Sequence, residues 1–344
     1  MTRLVVVADD LTGALDASAP FAARGITTVV ALGLDGLGAA LASGADVVGV
    51  STDSREIAPD AARDAVAACM ARLPPGVPVL KKVDSRLKGH IAAELDAIAF
   101  RSALVMPAIP AFGRWVRGGK VGGFGVAEPI AVADKLGRHA GAATIPDVDT
   151  QTDIDRALSG GAYDLLVGAR GLAEAMAQRM APDAPAQRAY PLASPAYCVI
   201  GSTDPITQAQ IQRLRAAVPD LLYIAAPDGR MAAVTNTASV TVLQATRGEG
   251  ADPATVAQRL GEALVRLKPP SGAVLVVSGG ATAQVVLRTL GIAVLDLLGE
   301  ALPGLPIAQA AGFTIITKSG GFGYPDTLMQ LLGQLGHSDR ESCG

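Results

Sequence analysis

The stretch VLKKVDSRLKGHIAAEL, residues 79–95, opens as a strand and closes as a helix. Between the two ends stand Lys81, Lys82, Asp84, Ser85, Arg86, Lys88 and His90, a density of charge found nowhere nearby in the chain. A strand that hands a cluster of polar residues to the start of a helix is the working unit of an α/β sheet. Ligands of such sheets bind outside the carboxyl ends of the strands. The stretch therefore raises both the fold and the place to look for chemistry.

The same unit repeats on either side. LVVVA (4–8), TTVVAL (27–32), DVVGVS (46–51), VPVLKKV (77–83), ALVMPA (103–108) and DLLVGA (164–169) are short apolar runs separated mostly by Ala-rich helical segments. Continuous apolar strands alternating with helices predict a parallel sheet covered on both faces. Residues 107–150 interrupt the pattern with Pro107, Pro110, Pro129, Pro146 and GRWVRGGKVGGFG, which reads as a loop or hairpin insertion. The proline-rich segment 181–197 reads as a linker. A second series comes after it: CVIGS (198–202), LLYIAA (221–226), VTVLQA (240–245), AVLVVSGG (273–280), IAVLDLL (292–298) and FTIITKSGGFG (313–323). The expected architecture is two α/β domains with mostly parallel sheets, residues 1–190 and 191–344, and the active site in the interdomain cleft.

Bulk properties narrow the class. A chain of 344 residues exceeds one ordinary core, which favours two domains. Half of it is hydrophobic and 18% is charged, so it can bury a large core. Aromatics make up 3% and the net charge is −3, which argues against a nucleic-acid partner. Cys69, Cys198 and Cys343 form neither a disulfide framework nor a metal-ligand spacing. With no signal peptide and no apolar run of membrane-spanning length, the expectation is a cytoplasmic protein.

The residues just past the end of each strand are the most informative. In the first series they are Asp9, Asp10 and Thr12; Ser51, Asp53 and Arg55; Lys82, Asp84, Ser85 and Lys88; then Arg114. Taken singly, Asp10 or Thr12 reads as a helix N-cap and Arg55 as half of a salt bridge. Four strand ends of one character point to a polar site. Only seven lysines occur, at 81, 82, 88, 120, 135, 268 and 318, and four of them lie in the opening stretch or the final glycine motif. Lysine is a compact point charge suited to phosphate or a small anion.

The second series ends in glycine turns instead: GSTDPIT (201–207), SGGATA (278–283) and KSGGFG (318–323). Glycine lets backbone N–H groups approach a phosphate, and a helix N-terminus favours its charge. Three such turns suggest a nucleotide site. No G-x-x-x-x-G-K-[ST] string occurs, and no G-x-G-x-x-G opens a helix after a strand. With only His90, His139 and His337, a zinc site or a Ser-His-Asp triad lacks material.

Together the motifs resemble the four-carbon acid sugar kinase family. The residues that carry the likeness are ADDLTGA (8–14), KVDSRLKG (82–89), PAIPAFGR (107–114), GSTDPIT (201–207), SGGATA (278–283) and KSGGFG (318–323), in the family's order and across almost the whole chain. Departures are Arg86 where the family usually has Thr, His90 for Asn, Lys120 for His and Ala281 for an acidic residue. They gather near the substrate end and leave the acid itself open.

The resemblance implies an enzyme that phosphorylates the terminal hydroxyl of threonate, erythronate or a 3-oxo-tetronate with ATP and Mg2+. It implies that Asp9, Asp10, Arg55, Lys82, Ser85, Lys88 and Arg114 serve the acid. Ser202, Ser278, Gly279, Gly280, Ala281, Thr282, Ala283, Gly320, Gly321 and Gly323 would hold ATP. Arg55 or Arg114 would clamp the acid's carboxylate. Asp84 or Asp10 would accept the hydroxyl proton, and Lys82 and Lys88 would oppose the developing charge. Metal ligands cannot be named from the sequence, and a homodimer is the commonest assembly for such a chain. Two rival readings are a nicotinamide-dependent sugar-acid dehydrogenase, which lacks its dinucleotide fingerprint, and a non-catalytic sugar-acid sensor, which would leave the glycine turns without a ligand.

Overall fold

A computed structural model describes residues 1–184, 190–232 and 238–336. Part of the proposed linker, together with His337 and Cys343, lies outside the described residues. The chain divides into two compact units, Met1–Ala186 and Gln187–Gly344.

The N-terminal unit runs β1 (Leu4–Ala8), α1 (Leu11–Ala23), β2 (Thr28–Ala31), α2 (Leu34–Ala42), β3 (Val47–Ser51), α3 (Pro59–Met70), β4 (Val79–Lys82), α4 (Ile91–Leu95) and β5 (Ala103–Met106). The insertion supplies β6 (Arg114–Arg117), β7 (Lys120–Gly123), β8 (Ile130–Ala131), α5 (Val132–Leu136) and β9 (Ala143–Thr144). Then come α6 (Gln151–Ser159), β10 (Leu165–Gly168) and α7 (Arg170–Met180). The main sheet has the order β2-β3-β1-β4-β10-β5-β9 and is parallel throughout. Helices on both faces explain why β1, β2, β3 and β5 are buried at every position. The expected hairpin in 107–150 is present as the antiparallel β6-β7-β8 sheet.

Helix starts follow local chemistry. Asp10 caps α1, its Oδ1 accepting from Gly13 N at 2.8 Å. Thr150 and Asp153 form a reciprocal capping box on α6. Pro59 opens α3, where its missing N–H costs nothing.

The C-terminal unit runs β11 (Ala196–Ile200), α8 (Pro205–Ala217), β12 (Leu222–Pro227), β13 (Val240–Thr246), α9 (Pro253–Leu267), β14 (Val274–Ser278), α10 (Gly280–Thr289), β15 (Val294–Leu302), β16 (Leu305–Ala310), β17 (Phe313–Lys318) and α11 (Thr327–Leu332). Its strands are ordered β12-β13-β11-β14-β17-β16-β15. The first five are parallel, while β16 is antiparallel to both neighbours. The sequence reading passes from IAVLDLL to FTIITK without a strand between them. LPIAQA is that strand, and Pro306 and the polar Gln309 hide it.

The two units share one plan. In each, the first strand sends its helix to one side and the fourth sends its helix to the other. The order β2-β3-β1-β4 matches β12-β13-β11-β14. The crevice where connections diverge lies between β1 and β4 in one unit and between β11 and β14 in the other. Such switch points are where open α/β sheets bind ligands. Among the described residues, no helix is long and apolar enough to cross a membrane.

Candidate active site

At the β1–β4 switch point of the N-terminal unit, three carboxylates meet two cations. Arg55, in the turn after β3, forks onto Asp9 with Nε and Nη2, both at 2.8 Å, and reaches Asp10 Oδ2 with Nη1 at 2.7 Å. Burial pushes the Asp9 carboxyl up, but the Arg55 hydrogen bonds and charge outweigh it and hold Asp9 below the ordinary carboxylate range. Asp10 goes the other way: burial raises it, the Asp9 charge adds to the rise, and Arg55 offsets only part. Burial pulls Arg55 down, yet the two carboxylates keep it above the ordinary arginine value.

Asp10 is fully engaged, since Gly13 N occupies Oδ1 while Thr12 Oγ1 and Arg55 share Oδ2. The modest readings of Asp10 as an N-cap and Arg55 as a salt-bridge partner are thus both realised. Asp84 differs. Its Oδ1 accepts from Arg86 N at 2.8 Å and Lys88 N at 3.4 Å, while Oδ2 has no donor among the described residues. Burial raises the Asp84 carboxyl, but Lys82, Arg55 and the two amides together hold it below the ordinary range.

Lys82 ends β4 almost wholly buried, and its ammonium has no acceptor at hydrogen-bond distance among the described residues. Its charge acts on all three carboxylates. Gly13 makes room for it: a Cβ there would lie 2.5 Å from Asp10 Oδ1 and 3.3 Å from Lys82 Nζ. Lys81, one residue earlier, faces the opposite side of the sheet. It pairs with Glu94 of α4 at 2.7 Å, both side chains being buried, and Glu94 also accepts from Ser54 Oγ. That network fastens the turn after β3 and the end of β4 to one helix. Its carboxylate, Glu94, escapes notice in a segment read simply as helical.

Arg114, opening β6, donates to Ser85 Oγ and to the Phe124 carbonyl. Its Nε is buried without a partner, and no acid pairs with it among the described residues. Burial lowers its pKa, the like charge of Arg86 lowers it further, and Asp84 only partly compensates. Lys88 is exposed and His90 sits at the N-cap of α4 without capping it by its side chain.

In the C-terminal unit the three glycine turns converge at the β11–β14 switch point. Gly201 N donates to Ser278 O at 3.1 Å, and Gly279 N to Lys318 O at 2.9 Å. A Cβ on Gly201 would collide with Thr282 Oγ1, and one on Gly320 with Ser202 Oγ. Asp204 caps α8 through Oδ1, with Oδ2 beside Gly321. The first N–H groups of α10, from Gly280 to Thr282, lack carbonyls within their own helix. Two expected contacts are withdrawn from the surface: the Ser278 side chain is fully buried with Oγ unpartnered, and Ala283 is fully buried as well. A separate cavity of about 500 Å³, lined by Gly229, Arg230 and residues of α9, shares nothing with these turns.

Among the described residues, no three His, Cys, Asp or Glu side chains gather closely enough to hold a metal. Magnesium commonly binds through one or two carboxylates, phosphates and water. Asp204 is the carboxylate at the glycine turns, so a nucleotide-borne magnesium fits this arrangement.

Comparison with known proteins matches each unit to a different domain family. Residues 4–135 match the sugar-binding N-terminal domain family and residues 228–328 the nucleotide-binding C-terminal domain family. The chain is 31% identical to a D-threonate kinase of Bordetella bronchiseptica, over 94% of this chain and 95% of that one. It is 27% identical to a 3-oxo-tetronate kinase of Methylobacterium radiotolerans, over 93% and 96%. A solved Salmonella typhimurium structure, described as a putative tRNA synthase, superposes with a TM-score of 0.72 at 19% identity, covering 98% of this chain and 100% of that one. At that identity the likeness concerns the fold alone.

Proposed function

The chain belongs to the four-carbon acid sugar kinase family, and from that premise we propose that it transfers the γ-phosphoryl group of ATP to the terminal hydroxyl of a four-carbon acid sugar such as threonate, erythronate or a 3-oxo-tetronate. One observation carries the reading. Lys82 and Arg114, two cations without acid partners among the described residues, flank Asp84, the one carboxylate of the cluster with a free oxygen.

Arg114 takes the acid's carboxylate, because among the described residues its guanidinium meets only a hydroxyl and a carbonyl. Arg55 is unsuited, since its fork is already closed on Asp9. Asp84 Oδ2 accepts the proton of the attacking hydroxyl as oxygen bonds to the γ-phosphorus. The bond from that phosphorus to its bridging oxygen breaks, leaving ADP. Asp84 is ionised at neutral pH, which suits a proton taken late in a loose transition state. Lys82 opposes the charge that develops on the transferred group. Asp10, Asp9 and Arg55 hold the turns that carry these groups.

The C-terminal unit supplies backbone N–H groups of Ser202, Gly280, Ala281, Gly320, Gly321 and Gly323 for the phosphates, with the α10 N-terminus adding its dipole. Magnesium, held by phosphates and water with Asp204 as its protein neighbour, would neutralise phosphate charge.

ADP release measured against threonate, erythronate and 3-oxo-tetronate tests the reading. Turnover with at least one acid is expected. No ADP above the acid-free background with any of the three would defeat it.

A further inference from the structure

Lys318 ends β17 almost wholly buried, at 1% exposure. A lysine in a glycine motif beside a nucleotide invites the role of a phosphate ligand. The structure places its ammonium elsewhere. Nζ donates to Ser319 O at 2.9 Å, Gly320 O at 2.8 Å and Phe322 O at 3.2 Å, and lies 3.1 Å from Thr207 Oγ1. Thr207 Oγ1 also donates to Gly320 O, and Gln210 Nε2 donates to Phe322 O at 3.0 Å. Three donors rooted in β17 and α8 thus hold three carbonyls of one turn.

A trans peptide is planar, with its C=O and N–H on opposite sides. Drawing the carbonyls of 319, 320 and 322 toward Lys318 therefore turns the N–H groups of Gly320, Gly321 and Gly323 away from it. Those three N–H groups have no acceptor among the described residues. Successive free N–H groups form an anion-binding concavity.

We propose that Lys318 is a positioning residue: its buried ammonium organises the 318–323 turn so that the amides of Gly320, Gly321 and Gly323 form the phosphate cradle. The inference rests on the kinase reading for the identity of the anion. The charged group acting on Lys318 is Asp204, the N-cap of α8, while its direct contacts are neutral oxygens. Burial lowers the Lys318 pKa to about 8, and Asp204 only partly restores it. An anion bound nearby favours the ammonium, so nucleotide affinity should fall as pH rises above that value.

The test is calorimetric titration of the wild type, Lys318→Met, Lys318→Arg and Thr207→Val with ATP and with adenosine. Lys318→Met should weaken ATP at least tenfold while adenosine stays within twofold. Thr207→Val, which leaves the ammonium in place, should weaken ATP about threefold. The wild-type ATP affinity should decline from pH 7.5 to pH 9.5, and that of Lys318→Arg should stay flat. ATP affinity unchanged in Lys318→Met, or ATP and adenosine weakened alike, would overturn the proposal. Hydrogen exchange at Phe322 N–H, which donates to Ser319 O at 3.1 Å, separates the two claims. A wild type that binds no ATP sinks the kinase reading, yet faster Phe322 exchange in Lys318→Met still upholds the organising role, and unchanged exchange rejects it.

Discussion

The two units use one strand order and build opposite kinds of binding surface on it. The β1–β4 crevice is lined by side-chain charge: Asp9, Asp10, Asp84, Lys82, Arg55 and, from the insertion, Arg114. The β11–β14 crevice is lined by backbone, with its buried Lys318 turned inward to carbonyls. Side chains that differ in length and charge can distinguish one small acid from another. Backbone amides can distinguish little beyond an anion's shape, which suffices for a donor common to many reactions. On the proposed function, the same plan would separate a specific half from a generic half by where the polar atoms are rooted.

The largest effect that would sharpen this contrast lies in the N-terminal unit. Asp84→Asn should lower kcat by about 10²- to 10⁴-fold, the usual contribution of a positioned base, while ATP affinity stays unchanged. Steady-state kinetics with calorimetry on the same variant checks both halves. Near-normal kcat would remove Asp84 from the chemistry, and a parallel loss of ATP affinity would break the division of labour.

Next comes the buried pair beneath that crevice. Lys81 and Glu94 are each almost completely buried. Lys81→Met should destabilise the N-terminal unit by about 3–5 kcal/mol, because it strands the Glu94 charge. Lys81→Met combined with Glu94→Leu should recover most of the loss. Urea denaturation followed by the fluorescence of Trp115, the chain's only tryptophan, reads that unit directly. A double variant as unstable as the single one would mean that the pair's geometry, rather than its charge balance, holds the turns.

A smaller effect tests the assignment of the acid's carboxylate. Arg114→Gln should raise the KM for the sugar acid about 10- to 100-fold, in line with about 1.5–3 kcal/mol for hydrogen bonds to a charged group. The KM for ATP should not change. An equal rise in both would show that Arg114 shapes the fold of the insertion and has no direct hold on the acid.

Lys81 and Lys82 also show where sequence reasoning ends. The strand and the polar turn after it are legible because apolar runs and charge clusters alternate along the chain. The three glycine turns are legible because all three follow strands of one unit, although any one alone reads as ordinary turn punctuation. Which of the two lysines is tied into an ion pair is not legible from the strand itself, and Lys82 is singled out for a role in the sequence only by the family resemblance. Adjacent strand residues face opposite sides, and the choice depends on Glu94, which belongs to another element. The burial of Ser278 is hidden in the same way: at the end of β14 its side chain is fully covered with Oγ unpartnered, which the residue type alone does not announce. β16 is hidden because Pro306 breaks the strand pattern, and its antiparallel pairing satisfies backbone groups that a local reading cannot see. Asp84 and Asp10 are equivalent in sequence, and only their hydrogen bonds distinguish them.

The smallest effect is the pH response, which should differ in kind between the units. Asp9 and Asp84 are held below their ordinary value. A carboxylate with a lowered folded pKa contributes stability that is present above its unfolded pKa and lost as pH falls through the folded one. Asp10, held above its ordinary value, opposes them, so the acid-side loss in the N-terminal unit should be shallow. Asp10→Asn should steepen it, because it removes the opposing group. On the alkaline side the C-terminal unit should respond through Lys318. Between about 8 and the ordinary lysine value of 10.5 the unfolded chain binds more protons than the folded one. The stability of that unit relative to Lys318→Met should therefore rise with pH across this window, while its ATP affinity falls. Opposite slopes are the signature of an ammonium that is costly to bury but needed to turn the carbonyls inward. Parallel slopes, measured by denaturation and by calorimetry on the same samples, would mean that the cation contributes only packing.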